Sequence, residues 1–196
     1  MVYALAWKNG VRPSRIILAG VAVAAFLGSG ISALLVFYGD RVQGALLWMV
    51  GGLSARSWPQ VEVLFPYAMI GLFLACLGAK RLTFLSLGDE TAKGLGLKVE
   101  QTRFMMTAVA ALLAAGAVSI AGLIGFVGLV IPHMLRLIIG NDYAYLLPGS
   151  ALLGAFVLVV SDTVGRVLMS PIEIPVGIIM AFFGAPFFLY LLRRDS

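Results

Sequence analysis

Side chains able to do covalent or acid–base chemistry are scarce in this sequence, and their placement narrows what that chemistry is. There is one histidine, His133, and one cysteine, Cys76, too few for a metal cluster of the His/Cys type or for an internal disulfide framework. Cys76 lies within an apolar run and reads as a small apolar filler. His133, three residues before Arg136, reads as a structural residue. Ser119, Ser150 and Ser161 would each need a base at the same depth to act as nucleophiles, and none is placed to serve. No G-x-x-x-x-G-K-[ST] phosphate loop occurs, so the chain carries no familiar nucleotide-hydrolysing site. The expectation is a non-enzyme with no resident metal or cofactor.

Two charged groupings remain, and the chemistry open to them is ionic docking. One is the stretch GDETAKGLGL, residues 88 to 97, in which Asp89, Glu90 and Lys93 sit among Gly88, Gly94 and Gly96. Ser86 followed by Asp89 fits the S-x-x-[DE] capping pattern, Asp89 and Lys93 are spaced i, i+4 with the acid first, and Gly94 is placed to end the turn. The spacing predicts a short helix of two to three turns. A helix that short is marginal by itself in water, so it must lean on a surface, either the rest of this chain or another subunit. The other grouping is Asp162 and Arg166, an i, i+4 acid–base pair, followed by Glu173 between Pro171 and Pro175. Pairing with each other and a docking contact are both open to Asp162 and Arg166, while Glu173 suits the positive end of the helix that follows.

The elements that hold these groupings are set by the solvent. A hydrophobic fraction of 61% with 12% charged residues lies far from the soluble norm of about 45–50% apolar and about 25% charged. Charge-free stretches cover 16 to 38, 63 to 79, 104 to 135, 143 to 161 and 174 to 192, and a bilayer core of about 30 Å asks for about 20 apolar residues per crossing. The chain is an all-α integral membrane protein. The formal net charge of +5 comes from Lys and Arg scattered between the spans, which speaks against a nucleic-acid partner.

The run 104 to 135 is too long for one crossing and short for two. Two crossings put all but Arg41, Arg56 and Arg166 of the fourteen Lys and Arg on the side of the N-terminal basic cluster formed by Lys8, Arg12 and Arg15. One crossing gives a weaker asymmetry, so the positive-inside rule favours two. Gly116, Gly122, Gly125, Gly128 and Pro132 supply the breaks, the second helix continuing to Ile139 with Arg136 snorkelling to the headgroups. The expectation is about six membrane helices with both termini cytoplasmic, in a single transmembrane domain covering 1–196 with residues 85–97 as a cytoplasmic excursion. Val42, Ala45, Leu46 and Met49 predict a short interfacial helix between the first two crossings. In the first complete span, Gly20, Ala24, Gly28 and Ser32 recur every four residues and form a stripe that permits close helix approach. The opening MVYALAWKNG has its apolar run ahead of its charges, unlike a signal peptide; it reads as the last turns of an earlier span.

Five ordered stretches, RIILAGVAV at 15 to 23, LSLGDETAKGLGL at 85 to 97, AGLIGFVGLVIPHMLRLIIGNDYAYLLPGSALLGA at 121 to 155, SDTVGR at 161 to 166 and EIPVGIIMAFFGAPFFLYLLRR at 173 to 194, closely resemble the FecCD-type permease subunits of ABC importers for iron–siderophore, haem and cobalamin. The resemblance implies that Gly88, Asp89, Glu90, Ala92, Gly94, Leu95 and Gly96 contact a cytoplasmic ATPase subunit, and that Arg166 meets a glutamate of an extracytoplasmic substrate-binding protein. It further implies a second permease subunit, identical or not, a multi-pass location in a bacterial or archaeal cell (inner) membrane, and a pathway beside the Gly20–Ser32 stripe. Relatives have about ten spans, so the first four are expected to be missing here. The alternative is an ion-coupled secondary transporter, which usually requires an acid at mid-membrane; here every Asp and Glu falls at or beyond a span end.

Overall fold

A computed structural model describes residues 13–39, 42–168 and 171–194. The opening decapeptide and Lys8, Arg12 and Arg41 lie outside the described residues. Nine helices occur among those described: α1 Pro13–Phe37, α2 Val42–Val50, α3 Trp58–Leu77, α4 Ala79–Ser86, α5 Asp89–Gly94, α6 Val99–Ala121, α7 Val127–Ile139, α8 Tyr143–Leu168 and α9 Val176–Arg194. The helix expected from Val42, Ala45, Leu46 and Met49 is α2. The chain divides into two compact units, residues 1–46 and 47–196. Within the first, α1 is an apolar helix that carries Gly20, Ala24, Gly28 and Ser32 along one face.

Among the described residues four helices are long and apolar enough to cross a membrane: Ile17–Phe37 of α1, α3, α6 and α8, with shorter apolar helices at α7 and in Val176–Leu191 of α9. Their outward surface is apolar, with Val63, Leu152 and Phe182 each more than 70% exposed, as expected where the surroundings are hydrocarbon rather than water. Inside the second unit α3 packs on α6, α7 on α8, and α9 against both α7 and α8. Val176, Ile131, Leu146 and Leu191 are buried there.

The 104 to 135 run lies on two legs of different kinds, one out along the bundle and one back. Arg103, near the start of α6, bonds to Asp89 of α5, while Ala121 at its end accepts a bond from the Gly52 amide at the opposite end of the bundle. Tyr143, opening α8, is back beside Thr83 of α4, so the chain has returned. The return leg is a non-helical stretch, Gly122–Phe126, followed by the 13-residue α7. The expected pair of short, broken helices is therefore corrected: α6 is continuous over 23 residues. Gly116 and Pro132 are within helices and break neither. A Cβ on Gly116 would lie 2.4 Å from the Tyr67 ring, so this glycine is a notch for Tyr67, whose hydroxyl donates to the Leu112 carbonyl. The break itself falls where the Phe126 backbone turns left-handed, at φ 64°.

At that end of the second unit, backbone groups of loops and helix ends are satisfied by one another, as the absence of lipid hydrogen bonds requires. The Gly52 amide donates to Ala121, Leu123 to Trp48, and Gly177 to Gly51. The approach is so close that a Cβ on Gly177 would sit 1.8 Å from the Val50 carbonyl oxygen, and one on Gly122 would sit 2.2 Å from that of Trp48. Gly184 of α9 likewise leaves room for Phe126.

Candidate functional site

The polar excursion folds as a helical hairpin at one end of the second unit. α4 continues almost directly from α3 through Gly78, and α5 follows after Leu87 and Gly88. The predicted short helix exists, but it is six residues long and is capped differently from the expectation. Ser86 is the last residue of α4, and its hydroxyl donates to the Thr83 carbonyl at 2.7 Å; the position ahead of α5 is held by Gly88 at φ 100°. Gly96, at φ 80°, turns the chain into α6, a backbone state for which glycine carries no Cβ penalty. Gly94 closes the helix as its last residue.

What pins this helix is a long-range pair. Asp89 Oδ1 accepts from Arg103 Nη2 at 2.8 Å, so Arg103, fourteen residues on, takes the role expected of Lys93. Ala92 is completely buried under the hairpin, and its carbonyl accepts the Leu97 amide at 3.0 Å. Asp89, Glu90, Gly94, Leu95 and Gly96 are all exposed. Beside Gly88, Gly94 and Gly96 an added Cβ would meet nothing within 4 Å. Gly94 has neither a left-handed backbone nor an internal neighbour to require it, so the smooth surface there faces outward.

A second set of bonds stitches the hairpin to the bundle. The Tyr143 amide donates to Thr83 Oγ1 at 3.2 Å, and Thr83 Oγ1 lies 3.3 Å from Asp142 Oδ1. Arg136 Nη2 donates to the Tyr143 hydroxyl at 3.0 Å. Sequence reasoning did not single out Arg103, Thr83 or Asp142. Only Asp142 carried a local signal: it immediately precedes α8, and its carboxylate accepts the Ala144 amide at 3.0 Å, the bonding of a helix N-cap.

At the opposite end of this unit, Arg166 Nε donates to Asp162 Oδ2 at 2.7 Å, and Arg166 Nη1 lies 3.8 Å from Glu173 Oε1. Gly165 makes the second approach possible. Its carbonyl accepts the Ile174 amide, and a Cβ there would lie 2.5 Å from the Ile174 oxygen, so the 171–175 loop lies directly on α8. The Arg166 side chain keeps 44% of its surface open. It is held by two acids of its own chain and still faces out. Glu173 thus has a charge partner besides its place ahead of α9.

No group of three or more His, Cys, Asp or Glu arranged to hold a metal occurs among the described residues. An apolar cleft of about 560 Å³, lined by residues including Ile131, Ser161, Ile179 and Phe183, lies among α7, α8 and α9; the Ser161 hydroxyl in it lies 3.4 Å from the Met180 sulfur. Neither end assembles a nucleophile with a base. Each presents a preformed, partly open ionic surface, one per end of the bundle.

Comparison with known proteins gives these surfaces a setting. Residues 1–194 match the model of the FecCD transport family. The Fe(3+)-citrate import system permease protein YfmE of Bacillus subtilis is 41% identical over 192 residues, covering 98% of this chain and 58% of that protein. The cobalamin import system permease protein BtuC of Halobacterium salinarum is 46% identical over 193 residues, covering 98% of this chain and 52% of the relative. The chain spans about half the length of these curated relatives. Among solved structures, a metal-chelate type ABC transporter in an inward-facing conformation superposes with a TM-score of 0.90 at 30% identity, over 98% of this chain and 62% of the other.

Proposed function

The chain belongs to the FecCD transport family, and from that membership we propose that it is a membrane-spanning subunit of an ATP-binding-cassette importer for a metal chelate. The observation that carries the reading is α5: a six-residue helix, anchored by Ala92 and by the Asp89–Arg103 pair, offering an exposed glycine-flanked surface that no described residue covers. In this reading Gly88, Asp89, Glu90, Gly94, Leu95 and Gly96 form the contact with a cytoplasmic ATPase subunit, while Ala92, expected among them, is corrected to an internal anchor because it is completely buried. Arg166 docks an extracytoplasmic substrate-binding protein, and a second permease subunit completes the pathway, with the Gly20–Ser32 stripe at a helix contact. The end bearing α5 is then cytoplasmic, as are both termini.

Motion follows from linkage. Nucleotide on the partner ATPase shifts inward- against outward-facing states only to the extent that it binds them with different affinity, and a hairpin tied to α6 by Asp89–Arg103 and to α8 by Thr83 would pass that difference to two spans at once. Iron–siderophore is the cargo put first, with haem and cobalamin as alternatives; the relatives named for Fe(3+)-citrate and cobalamin support this class.

The test is capture of the tagged chain from membranes of its own host, followed by reconstitution into vesicles. Recovery of an ATPase subunit, and ferric-chelate uptake that requires ATP, are the expected results. Uptake driven by a proton or sodium gradient without ATP would replace this reading with that of a secondary transporter.

A further inference from the structure

Beside the hairpin lies a cleft of about 350 Å³ lined by residues including Arg81, Gly96, Lys98, Gln101 and Thr102, with Met105 toward the membrane span. We propose that this cleft binds the phosphodiester headgroup of an anionic membrane lipid. The cleft shares Gly96 with the contact proposed for the ATPase and otherwise uses residues outside that set.

Three observations converge on a phosphate-class anion. First, the cleft brings together two cations and no acid. Arg81 and Lys98 hold no ion pair among the described residues, and the nearest carboxylates are otherwise placed: Asp89 is taken by Arg103, while Glu100 and Glu90 are exposed and do not line the cleft. Second, α6 begins at this cleft, and its N-terminus carries no side-chain cap. Its first-turn amides therefore lack intrahelical acceptors and bear the positive end of a 23-residue helix, with Glu100 as the acid in that turn, exposed and outside the cleft. Third, Thr102 is only 4% exposed yet lines the cleft, and its hydroxyl has no hydrogen-bond partner among the described residues. That hydroxyl opens on the cleft, where it can donate to a phosphate oxygen.

A lipid fits better than a free anion because the cleft opens onto hydrocarbon. Met105 is 52% exposed, and Leu112, two turns further along the same face of α6, is 58% exposed. An acyl chain can follow that face while the headgroup stays with Arg81 and Lys98.

The experiment is native mass spectrometry of the intact chain in detergent, titrated with phosphatidylglycerol or phosphatidylcholine. At least one phosphatidylglycerol adduct is expected to survive where phosphatidylcholine does not. Arg81→Gln with Lys98→Gln should weaken it by roughly thirty-fold, from the usual contribution of each basic residue at an anionic surface. Lys80→Gln, the same loss of charge outside the cleft, should leave the adduct intact. Arg81→Lys with Lys98→Arg should retain it, which separates charge loss from misfolding. Thr102→Val, a smaller change, should weaken it several-fold if the double glutamine variant does not fold. Equal retention by the glutamine and valine variants would overturn the site, and displacement of the lipid by millimolar inorganic phosphate would overturn its assignment to lipid.

Discussion

At the scale of single residues, the pair Asp89–Arg103 does work that its neighbours in sequence do not. It joins a mobile-sized helix to a full span, yet both partners keep part of their surface in solvent, 49% and 23% of the side chain. A pair so exposed contributes about 0.2–1 kcal/mol to stability, so its value to the protein lies in position. Reversing either charge is expected to lower ATP-dependent uptake several-fold with little change in melting temperature, and the double exchange Asp89→Arg with Arg103→Asp is expected to restore much of it. Gly177 is the opposite case. A methyl group 1.8 Å from the Val50 oxygen cannot be accommodated without moving backbone, and overpacking of this kind costs about 1–3 kcal/mol or more. Gly177→Ala should lower the melting temperature in detergent by several degrees, whatever its effect on transport. Neither residue announced itself in the sequence: Arg103 is fourteen positions from its partner, beyond any local pattern, and a glycine in an apolar run looks the same whether it breaks a helix or admits a neighbour. Gly116, expected as a breaker and found as the notch for Tyr67, shows that the difference is decided by the helix packed against it.

At the scale of elements, the long apolar runs were legible because hydrocarbon imposes a length that few other environments do. The excursion at 85 to 97 was legible because it is the polar interruption among those runs. The inner design of the hairpin was not. Ser86 looked like a cap by spacing alone, but its hydroxyl bonds back to Thr83 because α4 extends through it. The glycines separate into two classes with different expected outcomes. Gly88→Val and Gly96→Val place a β-branched side chain at positive φ, which costs about 1–3 kcal/mol each, and should loosen the hairpin, read as faster proteolysis between residues 86 and 98. Gly94→Leu meets no atom of this chain within 4 Å at its Cβ; it should leave the melting temperature unchanged while reducing recovery of the ATPase at least several-fold. That split isolates a contact between subunits from a requirement of folding.

At the scale of the whole molecule, the two ends of the 47–196 unit are built on opposite plans. The hairpin end relies on side chains: Asp89 to Arg103, Thr83 to Asp142, Arg136 to Tyr143. Arg166 at the far end is already flanked by Asp162 and Glu173, so in the proposed importer it would offer a shared rather than a bare charge to a visiting carboxylate. If the proposed docking is right, Arg166→Glu is expected to abolish stimulation of ATP hydrolysis by a substrate-binding protein while the basal rate of the assembled transporter stays near the wild type. The strands of loop around it are joined by main-chain bonds from Gly52, Leu123 and Gly177. Those three amides lie outside the interior of any helix, yet each is closed by a carbonyl from a segment remote in the chain. In deuterated buffer they should exchange as slowly as amides deep within α8, which would make this corner a stiff footing against which the opposite end can flex.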